Sequence, residues 1–351
     1  ASMVQMKGSR AVIETLVSEG IKVIFGQATF HVLDIMDELH GRTNIRYVPV
    51  RHEQTAAYMA LGYSQTTGEP SVALTAPTAG ALNAATGFVC ANASFTPVLL
   101  LSGQIKSDLI GKGTAQVHDL RDTGDQLDVF RHLAKWNTRV SKTEDIPSAI
   151  HESIKQMMSG KRGAAEIEIP LDICASTVEL EIPAKENYEV PKADNEKISQ
   201  AAELLLQSKK PVILAGEGVL CAGASRELTK LAEFLQAPVI TSSRGKGSIN
   251  EEHYLALGST EKWAGLGAAK AVLPQADVVF AVGTRLQPAK AYPNVPPCLI
   301  HLDIEKNEIG RYWPANVGIE ADAKVGLQQI IAQLRARGNP REAQKAEMEQ
   351  I

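Results

Sequence analysis

Two rhythms of apolar and polar positions alternate along this chain. Short aliphatic, β-branched runs bounded by turn residues read as buried strands. Longer stretches with apolar residues three and four apart read as amphipathic helices. In the first half the pattern predicts helix 9–19 before strand 22–25, helix 30–39 before strand 45–50, helix 54–65 before strand 71–75, and helix 81–92 before strand 98–102. A polar, Asp-rich stretch over 106–128 interrupts the rhythm, and helix 145–158 with strand 164–169 closes the unit. Residues 182–195 carry Pro, Lys and Glu without periodicity and read as a linker. A second unit follows: helix 196–207, strand 211–215, helix 225–235, strand 238–241, helix 265–273, strands 277–282 and 298–303, and helix 323–336. Strands alternating with helices imply parallel sheets covered on both faces. The expected class is therefore α/β: two parallel-sheet, three-layer domains over 1–181 and 196–340, with 341–351 opening a further linker.

Composition narrows the functional classes. The 351 residues include 36 Lys and Arg against 40 Asp and Glu, a net charge of −4 that offers no footprint for nucleic acid or an anionic membrane. No apolar run reaches the ~20 residues a membrane helix needs, and the N-terminus lacks the apolar core of a signal peptide. The four cysteines, Cys90, Cys174, Cys221 and Cys298, form no paired motif. Such usage points to a reducing cytoplasm and away from zinc. His132, His253 and His301 lack metal-ligand spacing and read as structural, and no metal site is expected in this chain.

The junction at His52-Glu53 is the most informative position. An apolar run ends there and an Ala-rich helix begins, which places a carboxylate beside free backbone N–H groups. A carboxylate so fixed suits general acid/base work on a cofactor, although the helix dipole alone also favours Glu in a first turn. Pro77-Thr-Ala-Gly80 links a strand to a helix that begins with small residues, a form that permits close approach of a ligand or simply tight packing. Ala56, Ala60 and Tyr63 share a helix face that reads as a packed helix–helix interface. His118-Asp119 lies in the long polar stretch and could line a site. In the second unit Gly216 and Gly218 follow a strand, as do Thr284 and Arg285, while Asp303 and Asp322 sit at the same sheet edge. Together they mark a possible nucleotide edge, though the glycine spacing departs from the dinucleotide fingerprint and also fits a plain tight turn.

The order of these motifs resembles the thiamine-diphosphate-dependent enzymes of the acetolactate synthase, pyruvate oxidase and benzoylformate decarboxylase group. The resemblance rests on Phe25-Gly26, on Arg51-His-Glu-Gln54 with the Ala/Gly helix to Tyr63, on Leu82-Asn-Ala-Ala-Thr-Gly87, and on Ser102-Gly-Gln104. In the second unit it rests on residues 211–216, Ala281-Val-Gly-Thr-Arg285 and His301-Leu-Asp-Ile304. It implies a pyrimidine-binding domain followed by a Rossmann-like central domain. It also implies that Glu53 hydrogen-bonds the aminopyrimidine ring of thiamine diphosphate and promotes its imino tautomer, which takes the thiazolium proton. Gly26, Gln27, Pro77, Gly80, Asn83 and Gln104 then border the cofactor, and His118 and Asp119 the substrate, a small 2-keto acid. Family sites form between subunits, so a homo-oligomer, at least a dimer, is expected.

Departures from the family pattern carry expectations of their own. The glycine loop after the first strand reads Gly26-Gln-Ala-Thr29, and the loop before the Asn-bearing helix reads Pro77-Thr-Ala-Gly80. The segment that contacts flavin in FAD-binding members reads Lys262-Trp-Ala-Gly265, which counts against FAD. The family holds Mg²⁺ through Gly-Asp-Gly and an Asn pair, neither of which occurs here. The Mg²⁺ ligands are expected on a third domain, so the chain reads as a truncated piece or as one subunit of a split decarboxylase, inactive alone. The competing reading is a non-catalytic or regulatory module that binds FAD, ADP or CoA.

Overall fold

The structure, a computed structural model, describes residues 3–113, 118–119, 125–188, 190–260, 267–287 and 296–348. Two compact units divide between Tyr188 and Glu189, inside the stretch expected as a linker.

The first unit contains β1 (Val4–Lys7), β2 (Val23–Gly26), β3 (Arg46–Pro49), β4 (Ser71–Thr75), β5 (Val98–Gln104), β6 (Trp136–Arg139), β7 (Ala165–Pro170) and β8 (Thr177–Leu180). Its helices are α1 (Gly8–Ser18), α2 (Leu33–Asp37), α3 (Glu53–Thr67), α4 (Ala79–Ala93), α5 (Gln126–Arg131), α6 (Ile146–Met158) and α7 (Leu171–Ala175). Six strands form one parallel sheet in the order β3-β2-β4-β5-β7-β6, and β1 pairs antiparallel with β8.

Strand alternation builds two cores on this sheet. Ile24, Val72, Leu74, Leu99, Leu101 and Ile167 face α1 and α6. Val23, Phe25, Ala73, Val98 and Leu100 face α3, α4 and Phe130 of α5. Both faces are dry, which is why the strands read as nearly continuous apolar runs. The chain leaves β2 toward β3 and returns to β4 on the other side, so strand order reverses between β2 and β4. The loops after these two strands border the crevice where ligands bind in such sheets.

The second unit has β9 (Pro211–Ala215), β10 (Val239–Thr241), β11 (Ala256–Ser259), β12 (Val278–Val282), β13 (Leu299–Asp303) and β14 (Val317–Glu320). Its helices are α8 (Asn195–Gln207), α9 (Glu217–Cys221), α10 (Ser225–Leu235), α11 (Gly267–Val272), α12 (Ala323–Arg337) and α13 (Lys345–Met348). The sheet is parallel in the order β11-β10-β9-β12-β13-β14, the Rossmann arrangement, with its reversal between β9 and β12.

Several elements differ from the sequence expectation. The helix expected over 30–39 is a 3-10 turn, Phe30–Val32, followed by the single turn of α2. β1, β6, β8, β11 and β14 carry no strand signal of their own. They are short and lie at edges or in the two-stranded pair, where one flank is open and apolar alternation is not required. No helix among the described residues is long and apolar enough to cross a membrane.

Candidate active site

α3 begins because His52 caps it. His52 is extended, with φ −155° and ψ 139°, and its Nδ1 accepts from the Gln54 amide at 3.2 Å. Gly68 ends the helix in the left-handed conformation, φ 73°, which glycine adopts at little cost. Glu53 is the first helical residue and only 8% exposed. α3 packs on α4 at glycine distance: a Cβ on Gly87 would lie 2.7 Å from the Ala57 Cβ. Ala56, Ala57 and Ala60 are fully buried in that contact. The Ala56/Ala60 face is thus used within the chain. The outer faces of the same helices carry the exposed Tyr58, Met59, Leu82 and Val89.

α4 delivers two groups to the Glu53 carboxylate. Asn83 Nδ2 donates to Oε2 at 3.1 Å. Gly80 places its backbone so close that a Cβ would stand 3.1 Å from Oε1 and 2.9 Å from the Ala76 Cβ. One oxygen is therefore engaged, and among the described residues the other has no hydrogen-bond partner. The approach to α4 is strained. Thr78, its N-cap, sits at φ 46° and ψ −88°, a conformation that costs a non-glycine residue about 1–3 kcal/mol. It is 3% exposed, and its amide donates to Gln126 Oε1 while its carbonyl accepts from Leu82.

The loop after β2 forms the other rim. Gly26 lies in the sheet against Leu74, and its carbonyl accepts from the Tyr47 hydroxyl at 2.9 Å. Gln27 Oε1 and Thr29 Oγ1 are buried with no hydrogen-bond partner among the described residues. A buried acceptor without a donor is costly, so these two atoms suit a ligand that brings N–H groups.

The remaining first-unit candidates divide. His118 reaches the rim: its Nδ1 is 3.3 Å from the Pro77 carbonyl, and its ring meets that of His31 at 4.6 Å, edge to face. Burial lowers the His31 pKa, and His118 lowers it further. Asp119 turns away and accepts from the amides of Gly111 and Gly113 within its own loop. Gln104 is spent internally: Nε2 donates to Glu168 Oε2 at 3.0 Å, and Oε1 accepts from the Ile105 amide at 2.8 Å.

Sequence reasoning missed the groups behind Thr78. Gln126, Glu166 and Glu168 form a buried polar cluster with the half-buried Arg139, whose Nε donates to Glu168 Oε2 at 2.8 Å. Burial raises the pKa of both carboxyls, with Glu168 adding to the rise at Glu166 and Arg139 opposing it at Glu168. The readable signal was Glu at alternate positions in a strand whose other residues, Ala165, Ile167 and Ile169, are apolar. In a sheet covered on both faces, that alternation buries the carboxylates.

The second-unit edge is built differently from a phosphate cradle. A Cβ on Gly216 would lie 2.1 Å from the Gly283 carbonyl oxygen, and one on Gly218 would lie 2.6 Å from the Gly283 Cα. These glycines let two backbone turns touch at the sheet's reversal point. The Gly218 amide donates to the Gly283 carbonyl and the Gly216 amide to that of Val282, so neither is free for an anion. Asp322 caps α12, accepting from Lys324 and Val325. Asp303 accepts from the Glu305 amide, and Thr284 Oγ1 from that of Leu286. Glu217 is ion-paired with Arg244 at 3.0 Å and lies within the field of Arg285; burial nonetheless raises its pKa. The segment 262–265, which bears on flavin, lies outside the described residues.

Residues 6–127 match the family described as thiamine pyrophosphate enzyme, N-terminal TPP binding domain, and residues 198–330 match thiamine pyrophosphate enzyme, central domain. A protein of Methanocaldococcus jannaschii named Probable acetolactate synthase large subunit is 36% identical over 94% of this chain and 56% of its own length. Acetolactate synthase isozyme 3 large subunit of Escherichia coli K12 is 33% identical over 94% of this chain and 58% of its own. Acetolactate synthase of Mycobacterium bovis is 33% identical over 94% and 54%. The chain spans a little over half the length of these curated relatives. With a carboxylate held at the start of α3 beside a sheet reversal, and with both family domains in order, this chain belongs to the thiamine-pyrophosphate-dependent enzyme family and contains its N-terminal and central domains.

Proposed function

We propose that this chain is the N-terminal and central part of an acetolactate synthase-like enzyme acting on a small 2-keto acid, with Glu53 as the residue that activates its thiamine diphosphate. The observation that carries the reading is the Glu53 carboxylate, desolvated at a helix start, with Oε2 held by Asn83 and Oε1 left open against Gly80. When bound, thiamine diphosphate supplies an electron sink for bond cleavage next to the keto acid carbonyl. With the cofactor bound, Glu53 Oε1 would be the oxygen that exchanges a proton with it, and the Asn83 bond keeps the carboxylate from rotating away. Burial keeps water from competing for that proton. Gln27 and Thr29 present acceptors suited to an amino group, and the Gly26 and Pro77–Gly80 loops wall the crevice. Gln104 supports the site from behind through Glu168. His118, with His31, faces the entrance and is assigned to the substrate.

Mg²⁺ and the diphosphate are expected to be held by residues outside this chain. The exposed apolar residues of α3 and α4 support a homodimer or a larger oligomer, and the proposed location is the cytoplasm. The second unit's glycine turns are occupied by each other, which favours a structural role there over FAD, ADP or CoA binding. Replacing Glu53 by Gln in the full-length enzyme tests the reading. It keeps the shape and the Asn83 contact but cannot take up the proton, and turnover is expected to fall by about 100-fold or more. Turnover at the unsubstituted rate removes Glu53 from the chemistry.

A further inference from the structure

The strained Thr78 turn is held from behind by a relay of buried polar groups. Gln126 opens α5 and is 1% exposed. Both ends of its side-chain amide are committed: Oε1 accepts from the Thr78 amide at 2.5 Å, and Nε2 donates to Glu166 Oε1 at 2.9 Å. The two bonds demand opposite ends of the amide, so together they fix its orientation. Glu166 stands in β7, fully buried on the face that carries α3 and α4. Burial and the neighbouring Glu168 keep its carboxyl protonated well above the usual carboxylate range. The anchor is therefore a dry acceptor whose charged form is disfavoured by burial. Apolar side chains would fill this space at lower desolvation cost. They would not hold a backbone N–H that the Thr78 conformation points into the core.

We propose that Gln126, anchored on Glu166, is a positioning residue for Glu53: it holds the Thr78 turn, which sets Gly80 and Asn83 against the two oxygens of that carboxylate. Thr78 is joined to α4 directly, its carbonyl accepting from the Leu82 amide at 2.7 Å. Displacement of the turn therefore moves the first turn of α4, and with it Gly80 and Asn83. The catalytic consequence rests on the role proposed above for Glu53. The geometric claim does not.

The test uses the 351-residue chain without cofactor, and reads amide hydrogen exchange at Thr78 and the NMR signals of the Asn83 side-chain amide, which donates to Glu53 Oε2. Gln126→Ala is expected to speed Thr78 exchange about tenfold or more, because the opening of a single turn no longer breaks a buried bond. It is also expected to move the Asn83 side-chain amide signals toward those of a free amide, because its bond to Glu53 loosens as the start of α4 shifts. Amides of β12 serve as the unchanged reference. Gln126→Met fills a similar volume without an acceptor and gives the same result if the alanine variant does not fold. Glu166→Gln keeps a neutral acceptor opposite Gln126 and leaves both readouts at their original values, whereas Glu166→Leu behaves as Gln126→Ala. Unchanged Thr78 exchange and Asn83 side-chain signals in a folded Gln126 variant overturn the proposal. So does a Glu166→Gln chain that behaves like Glu166→Leu. Neither readout involves turnover, so a negative result here is separate from failure of Glu53→Gln to lower activity.

Discussion

Gly80→Ala separates a site glycine from an ordinary helical one by the sign of its effect. Gly80 lies in the first turn of α4, and its φ is not in the left-handed region. In an exposed helix, Gly to Ala gains about 1 kcal/mol. Here the new methyl would stand 2.9 Å from the Ala76 Cβ and 3.1 Å from Glu53 Oε1. Carbon atoms pack at about 3.5–4.0 Å, so roughly 0.6 Å or more of movement is required. The Ala76 methyl has no rotamer by which to yield. Either the start of α4 moves outward or the Glu53 carboxylate rotates off Asn83. Overpacking of this kind costs about 1–3 kcal/mol, which leaves about 0–2 kcal/mol of net destabilisation after the helix gain is subtracted. Activity is the sharper readout, since misplacement of about 1 Å at a reacting group lowers turnover by about 100-fold. Urea unfolding of the chain and steady-state turnover of the full-length enzyme measure the two effects. A chain about 1 kcal/mol more stable, with full turnover, would refute the packing argument.

The other expectations are read in the same way. Gly216→Ala places a methyl 2.1 Å from the Gly283 carbonyl oxygen. It is expected to destabilise the second unit by about 3 kcal/mol or more in thermal unfolding without any ligand present; a neutral effect would reopen that turn as a ligand cradle. Glu166 keeps its proton in the folded state to a pH well above the value near 4.5 at which an unfolded glutamate releases it. The stability it contributes is therefore present below that value and is lost as pH rises from there toward the folded pKa. Glu166→Gln has no proton to lose, so its stability relative to the unsubstituted chain should increase over that interval; parallel urea midpoints from pH 5 upward would count against the assignment. The paired substitution Met59→Arg and Val89→Asp leaves the buried α3–α4 contact alone and charges the outer face. Sedimentation velocity should then show dissociation of the full-length oligomer, and an unchanged sedimentation coefficient would place the interface elsewhere.

Much of the fold was legible in the order of residues alone. Strands β2, β4, β5, β9, β12 and β13 were readable within a residue or two because a sheet covered on both faces demands nearly continuous apolar runs, and β7 was readable although Glu166 and Glu168 interrupt its run. The place of Glu53 at the start of α3 was legible because an apolar run ends there and an Ala-rich helix begins. The edge strands β6, β11 and β14 were not, since an edge residue can be polar on its open side. The glycines after β9 looked like a phosphate loop. Their function, contact between two backbone turns, depends on Gly283, which lies far along the chain and adjacent only in space. Gln104 read as a site residue through the family resemblance and Asp119 through its place in the long polar stretch, yet their side chains are committed to Glu168 and to the Gly111 and Gly113 amides.

Apolar periodicity and motif order, both local properties of the chain, determined the α/β class, the two domains and the carboxylate at the start of α3. The tertiary structure decided which groups face that carboxylate and what holds them. Asn83 meets Glu53 across 30 residues, Gln126 meets Thr78 across 48, and Glu166 meets Gln126 across 40. Those meetings follow from strand order, in which β4 returns beside β2 and β7 inserts between β5 and β6. A strand is apolar wherever it lies in a covered sheet, so its pattern carries no record of its neighbours. Only the folded sheet brings a buried acid in β7 behind the turn that shapes the site.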